Sequence, residues 1–194
     1  DWSSDVCSSD LSLKYIIKLG MAIRTIITEP NKILRQKSIE VDTVGKEEQK
    51  LMDDMLDTMY HANGIGLAAI QVGVPKRIIV MDIARKNEKK NPMYFVNPVI
   101  KNRHIDLSTY EEGCLSVPNY FAEIDRPKKC DVEYLDYSGQ KKILKAEGLL
   151  ATCIQHEMDH LEGILFIDYL SKLKKTMIIK KLSKNKERPD RIIV

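Results

Sequence analysis

Near residues 147–161 the sequence predicts a helix, and this helix carries two histidines four positions apart, in the pattern His156-Glu157-Met158-Asp159-His160. Side chains four apart share one face of a helix, about 5 to 6 Å apart at Cβ, so both imidazoles can bind a single ion. Glu157 projects to a neighbouring face, where it can serve as a general base beside a metal-bound water. A catalytic site usually takes three protein ligands, so another segment must supply the third.

The third ligand can be sought on either side of this helix. Gly163 agrees with the longer pattern HExxHxxGxxH of many metalloproteases, but Phe166 occupies the position of its last histidine. Glu162 and Asp168 are carboxylates in the same region, although Glu162, two residues after the motif, should point away from the shared face. The other candidate is Cys114, in a predicted extended or turning segment. A lone cysteine is more often a small buried apolar residue, so the residues alone leave this choice open.

The rest of the sequence predicts short strands between helices. Apolar residues at three- and four-residue spacing predict a first helix over residues 47–61, ended by Asn63 and Gly64, and a third helix over about 168–182. Strand-like segments lie at residues 77–83, 93–100, 131–137 and 142–144. Because strands and helices do not alternate regularly, we expect an α+β fold, with short antiparallel strands in several small sheets packed around the central HExxH helix, plus a C-terminal helix.

The composition is that of one globular domain. The 194 residues are 43% hydrophobic and 30% charged, close to the average of folded soluble proteins, and no apolar run approaches the roughly 20 residues of a membrane span. Four cysteines at irregular spacing, Cys7, Cys114, Cys130 and Cys153, do not resemble the dense framework of a small secreted domain. We therefore expect a soluble protein in a reducing, cytoplasmic compartment.

Both ends of the chain differ from its middle. Residues 1–20 are rich in Ser and Asp and then briefly apolar. Their acidic residues argue against a signal or transit peptide, so we interpret them as a non-native or disordered extension before Met21. We interpret residues 174–194, which are rich in lysine and arginine, as a basic helix end and tail. The net charge of +3 does not by itself indicate nucleic-acid binding, so a solvated helix end and a contact with ribosomal RNA both remain open.

Three separated segments resemble peptide deformylases, in the order found in that family: Gly64-Ile65-Gly66-Leu67-Ala68-Ala69-Ile70-Gln71, the EGCLS stretch at residues 112–116, and QHEMDH at residues 155–160. The similarity extends over residues 21–173, which we expect to form a deformylase-like catalytic domain. The resemblance implies Cys114, His156 and His160 as metal ligands and Glu157 as the catalytic carboxylate. It further implies Gln71 and the backbone N–H of Leu115 as donors to the formyl oxygen.

The same resemblance implies a reaction and its cofactor. Peptide deformylases remove the N-formyl group from the N-terminal formylmethionine of nascent polypeptides and release formate. The implied physiological ion is Fe²⁺, for which Zn²⁺, Ni²⁺ or Co²⁺ can substitute. The expected partners are formylmethionyl peptides and, through the basic tail, the ribosome. We expect a monomer with no membrane association.

Selectivity for a formyl group needs a cramped space beside the ion, which glycine allows by close approach of the backbone. Gly64 and Gly66 suit this role, and Gly113 is assigned with them to substrate binding. For the methionine side chain the resemblance nominates Ile65, Tyr110, Leu149, Cys153 and the ring of His156. Core packing is an equally good interpretation of Leu149 and Cys153. Phe121 stands where many members of the family have Arg, which puts the binding of the peptide beyond formylmethionine in doubt.

Two other functions remain open on the sequence. An HExxH metallopeptidase of another fold would cleave internal peptide bonds and would tolerate the loss of the Cys114 thiol. A non-enzymatic module would hold a structural metal with a fourth protein ligand and would use the basic tail to bind RNA.

Overall fold

The structure, a computed structural model, describes residues 22–84 and 88–186. These residues form three α-helices, α1 (Lys46–His61), α2 (Gly148–Leu161) and α3 (Lys172–Lys186). Seven strands complete the described part: β1 (Gly66–Ala68), β2 (Ile78–Met81), β3 (Met93–Arg103), β4 (Leu107–Cys114), β5 (Val117–Pro127), β6 (Lys129–Leu135) and β7 (Lys141–Glu147). The expected extension at residues 1–20 and the end of the basic tail, residues 187–194, lie outside the described residues.

The strands form two antiparallel sheets. Five strands lie in the order β1-β2-β3-β6-β7, and β4 pairs with β5 in a separate two-stranded hairpin. The α+β expectation is confirmed, because antiparallel strands pack against the central helix α2 and a C-terminal helix follows.

The five-stranded sheet lies between two helices. Ile79 and Met81 of β2 pack in the cluster that includes α2, whereas Ile78 and Val80 pack in the cluster that includes α1. Successive side chains of a strand point to opposite faces, which explains why the continuous apolar run of β2 is buried along its whole length. The sheet thus holds α2 on one face as a fixed support for the HExxH residues.

Helix α2 begins at Gly148 and is followed, two residues after its last residue, by Gly163, and both glycines are in the left-handed conformation. Gly148 has φ +57° and Gly163 has φ +74°, a region that glycine enters without steric penalty. A Cβ atom at Gly163 would lie 2.6 Å from the carbonyl oxygen of Arg35. The predicted stop at Gly163 is confirmed, and the close contact shows that the chain after α2 packs tightly against the N-terminal segment.

The predicted start of the third helix was wrong. The sequence placed it near Asp168, but Phe166–Tyr169 form a separate 3-10 turn and α3 begins at Lys172. The Asp168 carboxylate accepts a hydrogen bond from the backbone N–H of Leu165 at 2.8 Å, which closes this turn, and Leu170 is extended. Competition between a side chain and the backbone for local hydrogen bonds explains the delayed start.

Strands β1, β4 and β5 were not predicted as strands. In β4 only Glu112 is buried, so the sequence lacks the apolar alternation of a half-buried strand. Strand β5 contains two prolines, Pro118 and Pro127, which usually argue against a strand. The hairpin forms nevertheless, and it carries Cys114 at the end of β4.

In the described part of the chain, no helix is both long and apolar enough to cross a membrane. Cys114, Cys130 and Cys153 are free thiols.

Candidate metal centre and active site

Two elements bring three potential metal ligands together. Cys114 ends β4, and His156 and His160 lie one turn apart on α2. Their donor atoms all lie within 4.8 Å of one another, with the Cys114 Sγ 3.2 Å from Nε2 of His160. Both histidines are buried and Cys114 is partly buried. The three predicted ligands thus meet at one point.

The other predicted third ligands do not approach this point. Glu162 pairs with Arg77 at 2.6 Å and with Lys37 at 3.0 Å, and Asp168 pairs with Arg35 and Lys175. Phe166 is 1% exposed and belongs to the core next to α3. In the described part of the chain, Cys114, His156 and His160 are the one group of acidic, Cys or His side chains with this spacing.

A buried ion-pair network orients His156. Its Nδ1 lies 2.8 Å from Oε2 of Glu112, and Arg126 donates to both carboxylate oxygens of Glu112. Arg126 also donates to Asp159 at 2.8 Å, which in turn accepts from the Tyr169 hydroxyl at 2.8 Å. A partner on one ring nitrogen fixes the orientation of the other, which is the usual environment of a ligating histidine.

Sequence reasoning missed the roles of Glu112 and Arg126. Burial opposes ionisation of Glu112, but its hydrogen bonds with His156 and Arg126 hold the pKa of its carboxyl below the usual value. A signal for Glu112 was present, because residues two apart in a strand share a face and Glu112 lies two before Cys114. Nothing in the sequence pointed to Arg126, whose partner strand was not predicted.

The two imidazoles differ in their surroundings. Burial lowers the pKa of His160 well below its usual range, assisted by the nearby His156 and Arg126. Burial also opposes protonation of His156, but hydrogen bonds with Cys114 and Glu112 outweigh it and hold the pKa of His156 well above its usual range.

Glu157 lies beside the cluster in an environment unusual for a carboxylate. The residue is 4% exposed, and its Oε2 has no hydrogen-bond partner. Burial raises the pKa of its carboxyl to about 7, although the neighbouring His156 lowers it in part. A Cβ atom on Gly66 would collide with the Glu157 Oε1. Gly66 therefore allows the close approach of strand β1 that the sequence suggested.

Gln71 points its amide nitrogen at the same centre. It lies in the 3-10 turn Ala69–Val72, and its Oε1 accepts a hydrogen bond from the N–H of Ala68 at 2.8 Å. Its Nε2 donates to the Ser116 hydroxyl at 3.0 Å and lies 3.6 Å from the Cys114 Sγ. The Ala68 bond fixes which end of the amide faces the cluster, so a donor is already aimed there.

A cavity of about 520 Å³ opens from the cluster to the surface. The predicted residues that line it are Gly64, Ile65, Gly66, Gln71, Tyr110, Gly113, Cys114, Leu115, Leu149, Cys153, His156 and Glu157. His160 is 1% exposed and lies behind this surface. Leu149 is 43% exposed and so is not a core residue, whereas Cys153 belongs both to the core and to the cavity wall.

Thr152 and Phe121 also line the cavity; the sequence did not predict a role for Thr152, and it distinguished Phe121 only as a departure from the family pattern. Thr152 is 4% exposed, and its hydroxyl has no hydrogen-bond partner. A signal for Thr152 existed, because it lies three residues after Leu149 and four before His156 on one helix face. Phe121 is 67% exposed at the cavity mouth, and its ring covers the position where a side chain of Gly113 would stand.

Comparisons with known proteins agree with this geometry. A family model for polypeptide deformylase matches residues 23–176. The chain is 73% identical over 174 residues to a peptide deformylase of Pelagibacter ubique (strain HTCC1062), covering 90% of this chain and 100% of that protein. It is 57% identical over 171 residues to a peptide deformylase of Maricaulis maris (strain MCS10), covering 88% and 98%.

Solved structures give the same result. The structure of a peptide deformylase from Ehrlichia chaffeensis in complex with actinonin is similar with a TM-score of 0.83 at 45% identity, covering 87% of this chain and 100% of that chain. A peptide deformylase from Legionella pneumophila gives a TM-score of 0.79 at 43% identity, covering 87% and 100%.

Fold and site together define a hydrolytic enzyme of the α+β class, with a buried carboxylate beside a Cys-His-His cluster. Since the family match covers most of the chain, the protein belongs to the polypeptide deformylase family.

Proposed function

We propose that this protein removes the N-formyl group from the N-terminal formylmethionine of nascent polypeptides and releases formate. One observation carries the proposal: Cys114, His156 and His160 converge beside the buried Glu157 at the inner end of an open cavity. A third ligand from a separate hairpin distinguishes this arrangement from a chance HExxH helix.

The three side chains fit a divalent ion. Bonds of about 2.0 Å to nitrogen and 2.3 Å to sulfur place the ligand atoms of a tetrahedral ion roughly 3.3 to 3.6 Å apart. The donor atoms here, all within 4.8 Å and with one pair at 3.2 Å, need only a small adjustment. One thiolate with two imidazoles suits Fe²⁺, Zn²⁺, Ni²⁺ or Co²⁺, and we propose Fe²⁺ as the physiological ion. When bound, the ion supplies Lewis-acid activation of water and polarises the formyl carbonyl.

The chain's own residues perform the remaining steps. Glu157 accepts a proton from the attacking water and later delivers it to the leaving amine, roles suited to a carboxyl group that ionises near neutral pH. Negative charge develops on the formyl oxygen, and Gln71 Nε2 and the backbone N–H of Leu115 donate to it. Fixed donors of this kind are worth on the order of 3 kcal/mol each.

Selectivity for formylmethionine follows from the walls of the cavity. The space beside the cluster is small because the chain approaches closely at three residues without side chains, Gly64, Gly66 and Gly113. Ile65, Tyr110, Leu149 and Cys153, joined by Thr152, supply apolar surface for the methionine side chain. A larger acyl group would meet Glu157 and the β1 backbone before its carbonyl reached the donors.

Formate release from formyl-Met-Ala-Ser by protein loaded with Fe²⁺ under anaerobic conditions is the direct test. We expect Glu157→Gln to retain the metal and to lose rate by a factor of about a thousand or more, because the proton acceptor is gone. Glu147→Gln is the matched control, since it removes an exposed carboxylate at the start of the same helix, outside the cavity. Absence of formate, together with digestion of casein, would refute the proposal.

Nothing in the relatives or the neighbouring structures supports the HExxH endopeptidase of another fold. Cys114→Ser separates the two activities, because a deformylase that uses this thiolate should lose metal affinity, whereas an endopeptidase should not.

We further propose that residues 21–173 form the catalytic unit of a cytoplasmic monomer whose basic C-terminal end contacts the ribosome. Exposed Lys172, Lys180 and Lys184 lie on α3, while Ile178, Ile179 and Leu182 pack against the hairpin core. Truncation of α3 would expose that core, so charge removal is the better test. Lys180→Gln with Lys184→Gln should weaken cosedimentation with ribosomes at low salt, and unchanged cosedimentation would remove this part of the proposal. Analytical ultracentrifugation measures the mass of the protein in solution and so tests whether it is a monomer.

A further inference from the structure

A second depression adjoins the cavity mouth, between strand β5 and helix α3. It has a volume of about 440 Å³ and is lined by residues that include Phe121, Glu123, Leu170, Lys174, Met177 and Lys181. We call this surface the β5–α3 groove. Tyr120 and Phe121 line both the groove and the active-site cavity, so the two are continuous.

The floor of the groove is apolar and accessible. Phe121 is 67% exposed and Met177 is 50% exposed, and Leu170 and Ile178 are half-buried beside them. Single exposed apolar residues are ordinary, but a contiguous patch that continues an active-site cleft indicates a binding surface.

The rim of the groove is positively charged. Lys174 and Lys181 are exposed, and neither forms an ion pair within the described part of the chain. Glu123 is the one acidic residue in the lining, so the lysines outnumber it two to one. An occupant with acidic side chains beside apolar ones would complement this surface.

We propose that the β5–α3 groove binds the third to fifth residues of the formylated peptide and favours acidic side chains there. This inference rests on the proposed function, because the methionine in the cavity sets where the following residues emerge. An extended chain advances about 3.3 Å per residue, so residues beyond the second pass the Phe121 ring and enter the groove. Phe121 then serves as an apolar platform, and the two lysines attract carboxylates.

The test compares formyl-Met-Ala-Ser-Asp-Asp with formyl-Met-Ala-Ser-Asn-Asn by formate release at low salt. We expect kcat/KM to be roughly threefold to tenfold higher for the acidic peptide, because two exposed ion pairs together stabilise its binding by about this factor. Salt screens such pairs, so the ratio of the two kcat/KM values should fall towards one at high salt. In Lys174→Gln with Lys181→Gln the ratio should approach one at low salt as well. The matched control, Lys172→Gln with Lys180→Gln, removes the same charge from α3 outside the groove and should keep the wild-type ratio.

An equal kcat/KM for the two peptides in the wild type would overturn the inference, and so would an equal loss of preference in both double variants. Turnover of formyl-Met-Ala, which is too short to reach the groove, is measured in every preparation. If that dipeptide releases no formate the proposed function itself fails, whereas normal dipeptide turnover without an acidic preference refutes the groove alone.

Discussion

Among single residues, Glu112 has the clearest effect to measure, because it acts on the candidate metal centre through His156. Removing its charge by Glu112→Gln should weaken the hydrogen bond that holds the imidazole in place. Loss of such a partner usually reduces metal affinity by about 10- to 100-fold. Competition with a chelator gives the affinity, and thermal unfolding of the metal-free protein shows whether the fold is intact.

The neighbouring Glu111→Gln is the matched control for this measurement. Glu111 is exposed and points to the other face of β4, so it should leave the metal affinity unchanged. Equal affinities for all three proteins would contradict the positioning role of Glu112.

The hydroxyl of Thr152 supports a prediction about stability. It is buried without a hydrogen-bond partner, so Thr152→Val, which keeps the shape, should raise the free energy of unfolding by up to about 1 kcal/mol. Thr58 is equally buried, but its hydroxyl donates to the Asp54 carbonyl at 2.6 Å and accepts from the Arg24 N–H at 2.9 Å. Thr58→Val should instead lower the free energy of unfolding by about 1 to 3 kcal/mol. Urea unfolding of both variants measures these two changes. A loss of stability in both would show that the Thr152 hydroxyl has a hydrogen-bond partner.

The site could be predicted from the sequence where the chemistry is local. His156 and His160 are one helical turn apart, so their meeting follows from helix geometry alone. Cys114 lies 42 positions before His156, and only the family resemblance placed it there. The role of Arg126 could not be predicted, because Arg126 reaches Glu112 only through the pairing of β4 with β5. In that pairing Glu112 lies opposite Ala122, four residues before Arg126.

At the scale of elements, the turn after α2 is the most constrained connection. Gly163→Ala would place a methyl group 2.6 Å from the Arg35 carbonyl oxygen, in addition to the left-handed φ of +74°. Gly139 has φ +79°, but a Cβ there would meet only Val44 side-chain atoms at 3.4 Å or more. Both substitutions should cost about 1 kcal/mol for the backbone conformation, and Gly163→Ala should cost at least about 2 kcal/mol more because of the collision. Chemical denaturation measures the free energy of unfolding of both variants. Similar losses would mean that the segment around Arg35 can move away from the added methyl group.

The helices were easier to predict than the hairpin for a physical reason. Helix α1 shows a regular apolar stripe in its own sequence, with Met52, Met55 and Met59 all fully buried. The hairpin buries few of its residues, so its stability comes from cross-strand pairing and from the contacts of Ile124 and Val117 with the core around α3. Such long-range contacts leave little periodic signal in a single sequence.

For the whole molecule, buried carboxylates predict the response to acid. Burial opposes ionisation of Asp54, but hydrogen bonds from Arg24, the Ala22 N–H and Lys50 outweigh it and lower the pKa of its carboxyl. A carboxyl whose pKa is lower in the folded state stabilises the fold above its unfolded pKa, about 3.9 for Asp. That stabilisation is lost as the pH falls through the folded value.

The difference in free energy of unfolding between the wild type and Asp54→Asn should therefore be largest above about pH 4 and shrink towards pH 2. Urea unfolding at a series of pH values measures it. Asp42→Asn, at an exposed position, serves as the control. A difference that stays constant over the whole range would mean that Asp54 does not contribute through its charge.

The ligand set has one further consequence for the molecule as a whole. Cys114 belongs to the hairpin, whereas both histidines belong to the helix that the large sheet supports. An ion bound by all three would add a cross-link between two parts of the fold that otherwise meet through side-chain packing, the Arg126 network and the hydrogen bond from Gln155 to the Pro127 carbonyl. Removing the metal would then do more than stop the reaction: it would take away one of the links that hold the hairpin, which forms one wall of the cleft, against the helix.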